Sequence, residues 1–272
     1  MDQLILASES CDPASDIICS PENVNDLFEF TTPLFSIGPF DFTRTVILTF
    51  LAMFIVLAIL YFGLRKTRIV PSKFGVMVES IIRFVRENIS KSVIGPEGST
   101  YAPYLLAMFL FILVSNIFEV TPGINFPLTS RMAIPLFLAV LTWVIFVGVG
   151  FAKNGLSYIG DVVWPKSVPI GLRWLVGIIE LVSTFVLRPI TLAVRLFANM
   201  VAGHLMLTLL LGSGWIFMSS VGDIGIKSGV GLLWFAFGLF IYLFEILVAV
   251  LQAYIFTLLS AVYIQSSVHP QH

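Results

Sequence analysis

Two apolar runs near the C-terminal end of this chain are longer than a membrane is thick. The first extends from about Gly171 to Gly212 and the second from about Ser228 to Ser266. At a rise of about 1.5 Å per residue, a forty-residue helix is on the order of 60 Å long, roughly twice the hydrocarbon thickness of a bilayer. Each run is therefore either a hairpin of two vertical spans or one strongly tilted or kinked helix. A hairpin needs a polar turn near its middle. The first run instead reads Val186-Leu187-Arg188-Pro189-Ile190 there, with one proline and no Gly, Asn or Asp turn, and the second has no proline before Pro270. Two long tilted helices are the better reading, and such tilt implies a neighbour whose surface they follow.

Three ordinary spans precede them, near 43–64, 101–120 and 132–151, so the expected fold is an all-α integral membrane protein with about five transmembrane helices. Composition agrees: of 272 residues, 58% are hydrophobic and only 11% charged, which argues against a soluble domain, and a net charge of −1 offers no nucleic-acid surface. Residues 1–41 hold eight of the sixteen acids and no Lys or Arg; they read as a retained acidic arm without the pattern of a secretory signal. Cys11 and Cys19 lie in this arm, where a disulfide and two free thiols are equally open. Arg65, Lys66 and Arg68 follow the first span and begin a basic cluster, placing the arm outside and the cluster inside. Within it, near 72–91, Phe74, Met77, Val78, Ile81, Ile82, Val85 and Ile89 recur at helical spacing opposite Glu79, Arg83, Arg86 and Glu87, as in an amphipathic surface helix. The Pro- and Gly-containing link Thr121 to Arg131 reads as a simple outside turn, and five spans place the C-terminus inside.

The remaining charges are few and oddly placed. The first long run carries Arg173, Glu180, Arg188, Arg195, Asn199 and His204; the second carries Glu245 and Gln252. An ionisable group at mid-membrane costs at least ~2.5 kcal/mol, which makes each a functional candidate. Arg195 lies twenty-four residues into its run, too deep to snorkel, and its guanidinium stays charged, so an anion must balance it. Glu180, Glu245 and a carboxylate of another subunit are the candidates. Asn199 shares the Arg195 face one turn on, while His204 points to roughly the opposite side. Glu245, Gln252 and Tyr263, spaced by seven and eleven residues, form one polar stripe. His204 and Glu245 suit a proton or ion pathway, or else form a buried pair that fixes packing. No metal-ligand cluster, phosphate loop or nucleophile with an adjacent base is visible, and no cofactor is implied.

The segment Arg188-Pro-Ile-Thr-Leu-Ala-Val-Arg195-Leu-Phe-Ala-Asn199-Met-Val-Ala-Gly-His204 strongly resembles subunit a of the rotary (F-type) ATP synthases. The likeness continues at Glu245-Ile-Leu-Val-Ala-Val-Leu-Gln252-Ala-Tyr-Ile-Phe and more loosely at Ser115-Asn116-Ile-Phe-Glu119-Val-Thr-Pro122. It implies a non-catalytic stator subunit lying against a ring of c subunits, with peripheral-stalk b-type and other synthase subunits as further partners. Arg195 would match the arginine that attracts each ring carboxylate and separates two half-channels. His204, Glu245, Gln252 and Asn199 would line the outer half-channel, with Asn116 and Glu119 near its mouth, and Glu180, with Ser183, would serve the inner one. Some members carry the acid and the histidine in the reverse order of His204 and Glu245, and some place the acid seven residues before the position of Arg188, where Glu180 stands eight before it. A bacterial plasma membrane is expected, with the mitochondrial inner membrane as the alternative. A secondary transporter would show repeated halves, which are not visible here, and a membrane scaffold would not need a deep arginine.

Overall fold

The computed structural model describes residues 18, 35–37, 40–64, 73–121, 126, 128–155, 157–164, 170–219 and 228–268. Most of the acidic arm with Cys11 and Cys19, the cations Arg65, Lys66, Arg68 and Lys166, the turn at 220–227 and the tail His269 to His272 lie outside the described residues. A short antiparallel pair, β1 (Phe35–Ile37) and β2 (Phe40–Phe42), aligns Phe35 with Phe42 and Ile37 with Phe40. Among the described residues everything else with regular structure is helical: α1 (Arg44–Leu64), α2 (Lys73–Arg83), α3 (Gly98–Val120), α4 (Ala133–Asn154), α5 (Ser157–Val163), α6 (Ile170–Val182), α7 (Arg188–Ser219) and α8 (Ser228–Val268).

Among the described residues five helices are long and apolar enough to cross a membrane, and the chain is an all-α, multi-pass membrane protein. The last two are the long ones. Residues Leu172–Ser219 form one 48-residue rod and Gly229–Val268 one of 40. At ~1.5 Å per residue both exceed the bilayer core, so they are accommodated only by strong tilt or by ends reaching the headgroup layer. The backbone before Pro189 takes a specific form. A π-helical turn, Ser183–Leu187, joins α6 to α7, and the Arg188 N–H donates to the Ser183 carbonyl. Pro189, lacking an N–H, is tolerated just beyond this widened turn, and the rod is not interrupted. α7 also continues through Gly212 and Gly214 to Ser219, because in an apolar medium the helical hydrogen bond outweighs glycine's weak propensity.

α2 continues through a second π-helical stretch, Phe84–Lys91, and a closing turn, Ser92–Ile94, before Gly95 takes a φ of 88° that a side chain would resist. The amphipathic pattern predicted here is realised in part: Val78, Val85 and Ile89 are buried, Ile81 and Ile82 half-buried, and Phe74 and Met77 exposed. Gly155, at φ 60°, caps α4 by donating its N–H to Phe151.

The chain divides into two compact units. The first comprises Met1–Phe50, Ser115–Arg131 and Ala198–Val250, the second Leu51–Val114, Met132–Phe197 and Leu251–His272. The second unit has an apolar core of Leu105, Ile112, Phe146, Leu192, Leu196, Phe256 and Ile264. Lipid tails are as apolar as leucine, so helices associate in a bilayer by close packing, which small residues permit. Ala139, Ala193, Ala253 and Ala261 are accordingly fully buried, and a Cβ at Gly177 would collide with the Val163 carbonyl. Polar ties reinforce this unit: Tyr104 to Thr142 at 2.8 Å, Asn154 to the Ser267 carbonyl at 3.0 Å, and Lys153 to Glu97 at 2.7 Å.

In the first unit α7 and α8 run antiparallel and glycine brings them together. A Cβ at Gly214 would lie 2.8 Å from the Phe235 nitrogen, at Gly238 2.7 Å from Leu211, and at Gly231 2.7 Å from Phe217. Contact partners advance along one helix as they retreat along the other, which fixes the register in which Glu245 meets Gly203.

Candidate functional site

The polar residues singled out from sequence separate into a buried cluster in the first unit and a set of more accessible groups in the second. The cluster forms where the end of α3 meets α7 and α8. Asn116 and Glu119 from α3, His204 from α7 and Glu245 from α8 are 0%, 2%, 1% and 8% exposed. His204 Nδ1 stands 3.9 Å from Glu119 Oε1, within ion-pair reach and beyond a direct hydrogen bond. A small approach of the side chains or one bridging water would allow a proton to pass between them.

Glu245 reaches the cluster because the residue before His204 is a glycine. A Cβ at Gly203 would fall 2.6 Å from the Glu245 carboxyl carbon and 2.6 Å from Oε2, so no side chain fits while the carboxyl remains there. The pairing left open by the sequence is thus resolved in a particular way: the acid in ion-pair reach of His204 is Glu119, and Glu245 packs on the adjacent backbone. The spacing of groups along a helix could not reveal this, since Glu119 and His204 lie on different helices.

Asn116 and Glu119, expected near a channel mouth, are enclosed within the chain itself. The described residues between Thr121 and Arg131 contribute to that enclosure: Phe126, Leu128, Thr129 and Ser130 are all buried, and Leu128–Ser130 form a 3₁₀ turn. Phe126 lies under the Arg44 guanidinium at 5.8 Å. Thr129 Oγ1 donates to Asn116 Oδ1 at 3.2 Å, and Asn116 Nδ2 donates to the Ala249 carbonyl at 3.4 Å. Sequence reasoning missed Thr129 and Gly203. A glycine directly before a membrane histidine was a usable signal for the second; nothing local marks the first.

Asn199 is half-buried, and its Nδ2 is a buried atom without a hydrogen-bond partner among the described residues. A buried amide donor left unbonded costs ~1–3 kcal/mol, so the position favours a polar visitor such as water.

In the second unit Arg195 is exposed, and its side chain makes no ion pair or hydrogen bond among the described residues. Its neighbours in sequence explain the orientation. Leu192, Ala193 and Leu196 face the core, which leaves Arg195 on the open face with Val194. Glu180 and Gln252 are half-buried. Arg188, by contrast, is internally satisfied: it donates to Ser266 Oγ at 3.1 Å and lies over the Tyr263 ring at 5.4 Å. Tyr263, one end of the predicted polar stripe, therefore supports an arginine. Among the described residues no three His, Cys, Asp or Glu side chains converge as metal ligands would.

Comparison with known proteins agrees with this arrangement of few, deep charges. Residues 46–265 match the family model of the ATP synthase A chain. ATP synthase subunit a of Frankia alni is 39% identical over 233 residues, covering 84% of this chain and 78% of the relative. That of a Parafrankia species is 41% identical over 239 residues, covering 86% and 79%. That of Rhodococcus erythropolis is 35% identical over 258 residues, covering 94% and 92%. Both the length of these matches and their position over the five membrane helices lead to one conclusion: the chain belongs to the ATP synthase A chain family.

Proposed function

We propose that the chain is the stationary, proton-conducting subunit of a rotary ATP synthase in a bacterial plasma membrane. The observation that carries this reading is Arg195, an exposed cation in a membrane-crossing helix with no counter-charge among the described residues. A guanidinium there is costly unless an anion from outside the chain meets it. A ring of c subunits carrying one carboxyl group each supplies such an anion repeatedly. Ring carboxylates are attracted in turn to Arg195, and the fixed positive charge prevents a proton from passing straight across.

On this reading Glu119, His204 and Glu245 form the outer proton route. A carboxyl and an imidazole in ion-pair reach, with a second carboxyl beside them, can hand on one proton without stranding a charge. Asn116, Asn199 and Gln252 supply polar atoms along that route, and Glu180 serves the inner side. Rotation follows because a carboxyl protonated from one side can enter lipid, whereas a carboxylate cannot. The chain itself makes and breaks no substrate bond; peripheral-stalk b-type subunits hold it still, and other synthase subunits carry out the catalysis.

The test is Arg195→Ala in the complete complex, reconstituted in vesicles. ATP-driven proton pumping is expected to vanish and passive proton leak to rise. Unchanged pumping would exclude this function.

A further inference from the structure

Three hydrogen bonds in the buried cluster involve residues that carry no charge, and two of them join α3 to α8 beside the acids. The Tyr242 hydroxyl donates to the Val120 carbonyl at 2.6 Å. Asn116 Nδ2 donates to the Ala249 carbonyl at 3.4 Å, and Thr129 Oγ1 donates to Asn116 Oδ1 at 3.2 Å. Tyr242 lies three residues before Glu245 and Ala249 four after it; Asn116 lies three before Glu119 and Val120 one after it. The two bonds therefore fasten α3 to α8 on either side of both carboxyl groups.

Each bond has a separate physical basis. Val120 ends α3, so its carbonyl is one of the last four that the helix leaves unpaired, and Tyr242 fills it from the neighbouring helix. An asparagine amide can be turned either way round. The Ala249 carbonyl can only accept, so the Asn116 amide nitrogen faces it, and the amide oxygen is left to accept from the Thr129 hydroxyl, which holds the side chain in that place.

We infer that Tyr242 and Thr129 are positioning residues of the proton route, holding Glu119 and Glu245 at fixed places relative to His204 and Gly203. The inference rests on the proton-conducting reading above. Glu119, His204 and Glu245 are the titratable groups that face one another here, one from each of three helices. Their separation depends on helix registry, and a turn of α8 by one residue, about 100°, would take Glu245 off Gly203 altogether. Proton transfer falls steeply with distance, and a misplacement of ~1 Å can cost about a hundredfold. Neither Tyr242 nor Thr129 exchanges the transported proton.

The experiment uses the assembled complex in vesicles with Tyr242→Phe, Thr129→Val and Thr129→Ser, measuring ATP-driven pumping per assembled complex over a series of pH values. Tyr242→Phe and Thr129→Val are expected to pump about tenfold more slowly, with a displaced pH profile, while Thr129→Ser retains wild-type behaviour. Wild-type rate and profile in both deletions overturn the inference. Lower recovery of complex, with an unshifted profile in what assembles, overturns it too, since the bonds would then be purely structural. Arg195→Ala in the same series separates the two levels. If it pumps normally, the proton route itself fails; if it does not, and Tyr242→Phe and Thr129→Val both pump like wild type, only the positioning role fails.

Discussion

α7 presents its ionisable groups to two opposite environments. His204 is 1% exposed and has an acid of its own chain 3.9 Å away; Arg195, nine residues earlier, is exposed and has no ionic partner among the described residues. The imidazole can discharge by losing its proton, so it tolerates enclosure. The guanidinium cannot, and tolerates the membrane only where an anion can reach it. In the proposed function one group hands a proton on and the other holds a charge still, and the difference in burial suits those two tasks.

Substitutions can break this contrast in graded steps. Arg195 should give the largest effect: Ala abolishes pumping, and Lys, which keeps the charge and loses the planar fork, restores little of it in the same vesicle assay. Glu245→Gln keeps shape and hydrogen bonding but cannot exchange a proton; pumping is expected to fall about a hundredfold while the complex is recovered in normal amount. Undiminished proton flux would remove Glu245 from the route. Gly203→Ala acts by space alone. Its Cβ would sit 2.6 Å from the Glu245 carboxyl, so the carboxyl must shift, at ~1–3 kcal/mol, with pumping reduced about tenfold. If Gly203→Ala pumps normally while Glu245→Gln does not, Glu245 works without the close approach. Arg83→Ala should have the smallest effect. Its pairing with Glu79 at 3.1 Å is exposed on both sides and within one helix, so neither recovery nor pumping should change measurably. A large loss would reveal a partner surface on α2.

Much of the fold is legible before any coordinates. A backbone in lipid has no water to bond with, so a long apolar run must close its own hydrogen bonds, and the five runs become five helices. The unusual length of the last two is legible for the same reason, since neither contains a turn. Helix ends were less legible. α7 runs to Ser219 although Gly212 and Gly214 would weaken a helix in water, and Gly214 serves here as packing surface against α8. Burial was least legible in segment 121–131: Phe126, Leu128, Thr129 and Ser130 are buried, and Thr129 bonds the Asn116 side chain near the end of α3.

The sequence by itself determined which groups carry charge inside the membrane, that they gather mainly in the last two long helices, and that Arg195 and His204 point to different sides of one of them. It also carried the family resemblance, since those residues recur in a fixed order along the chain. Only the tertiary structure decided that Glu119 stands beside His204, that Gly203 makes room for Glu245, and that Tyr242 and Thr129 fasten the helices around both acids. The physical reason is the range over which each effect acts. Hydrophobic length and helical spacing are local properties of a segment, whereas contacts between acids on separate helices depend on the register in which those helices pack, and a single small residue can set it.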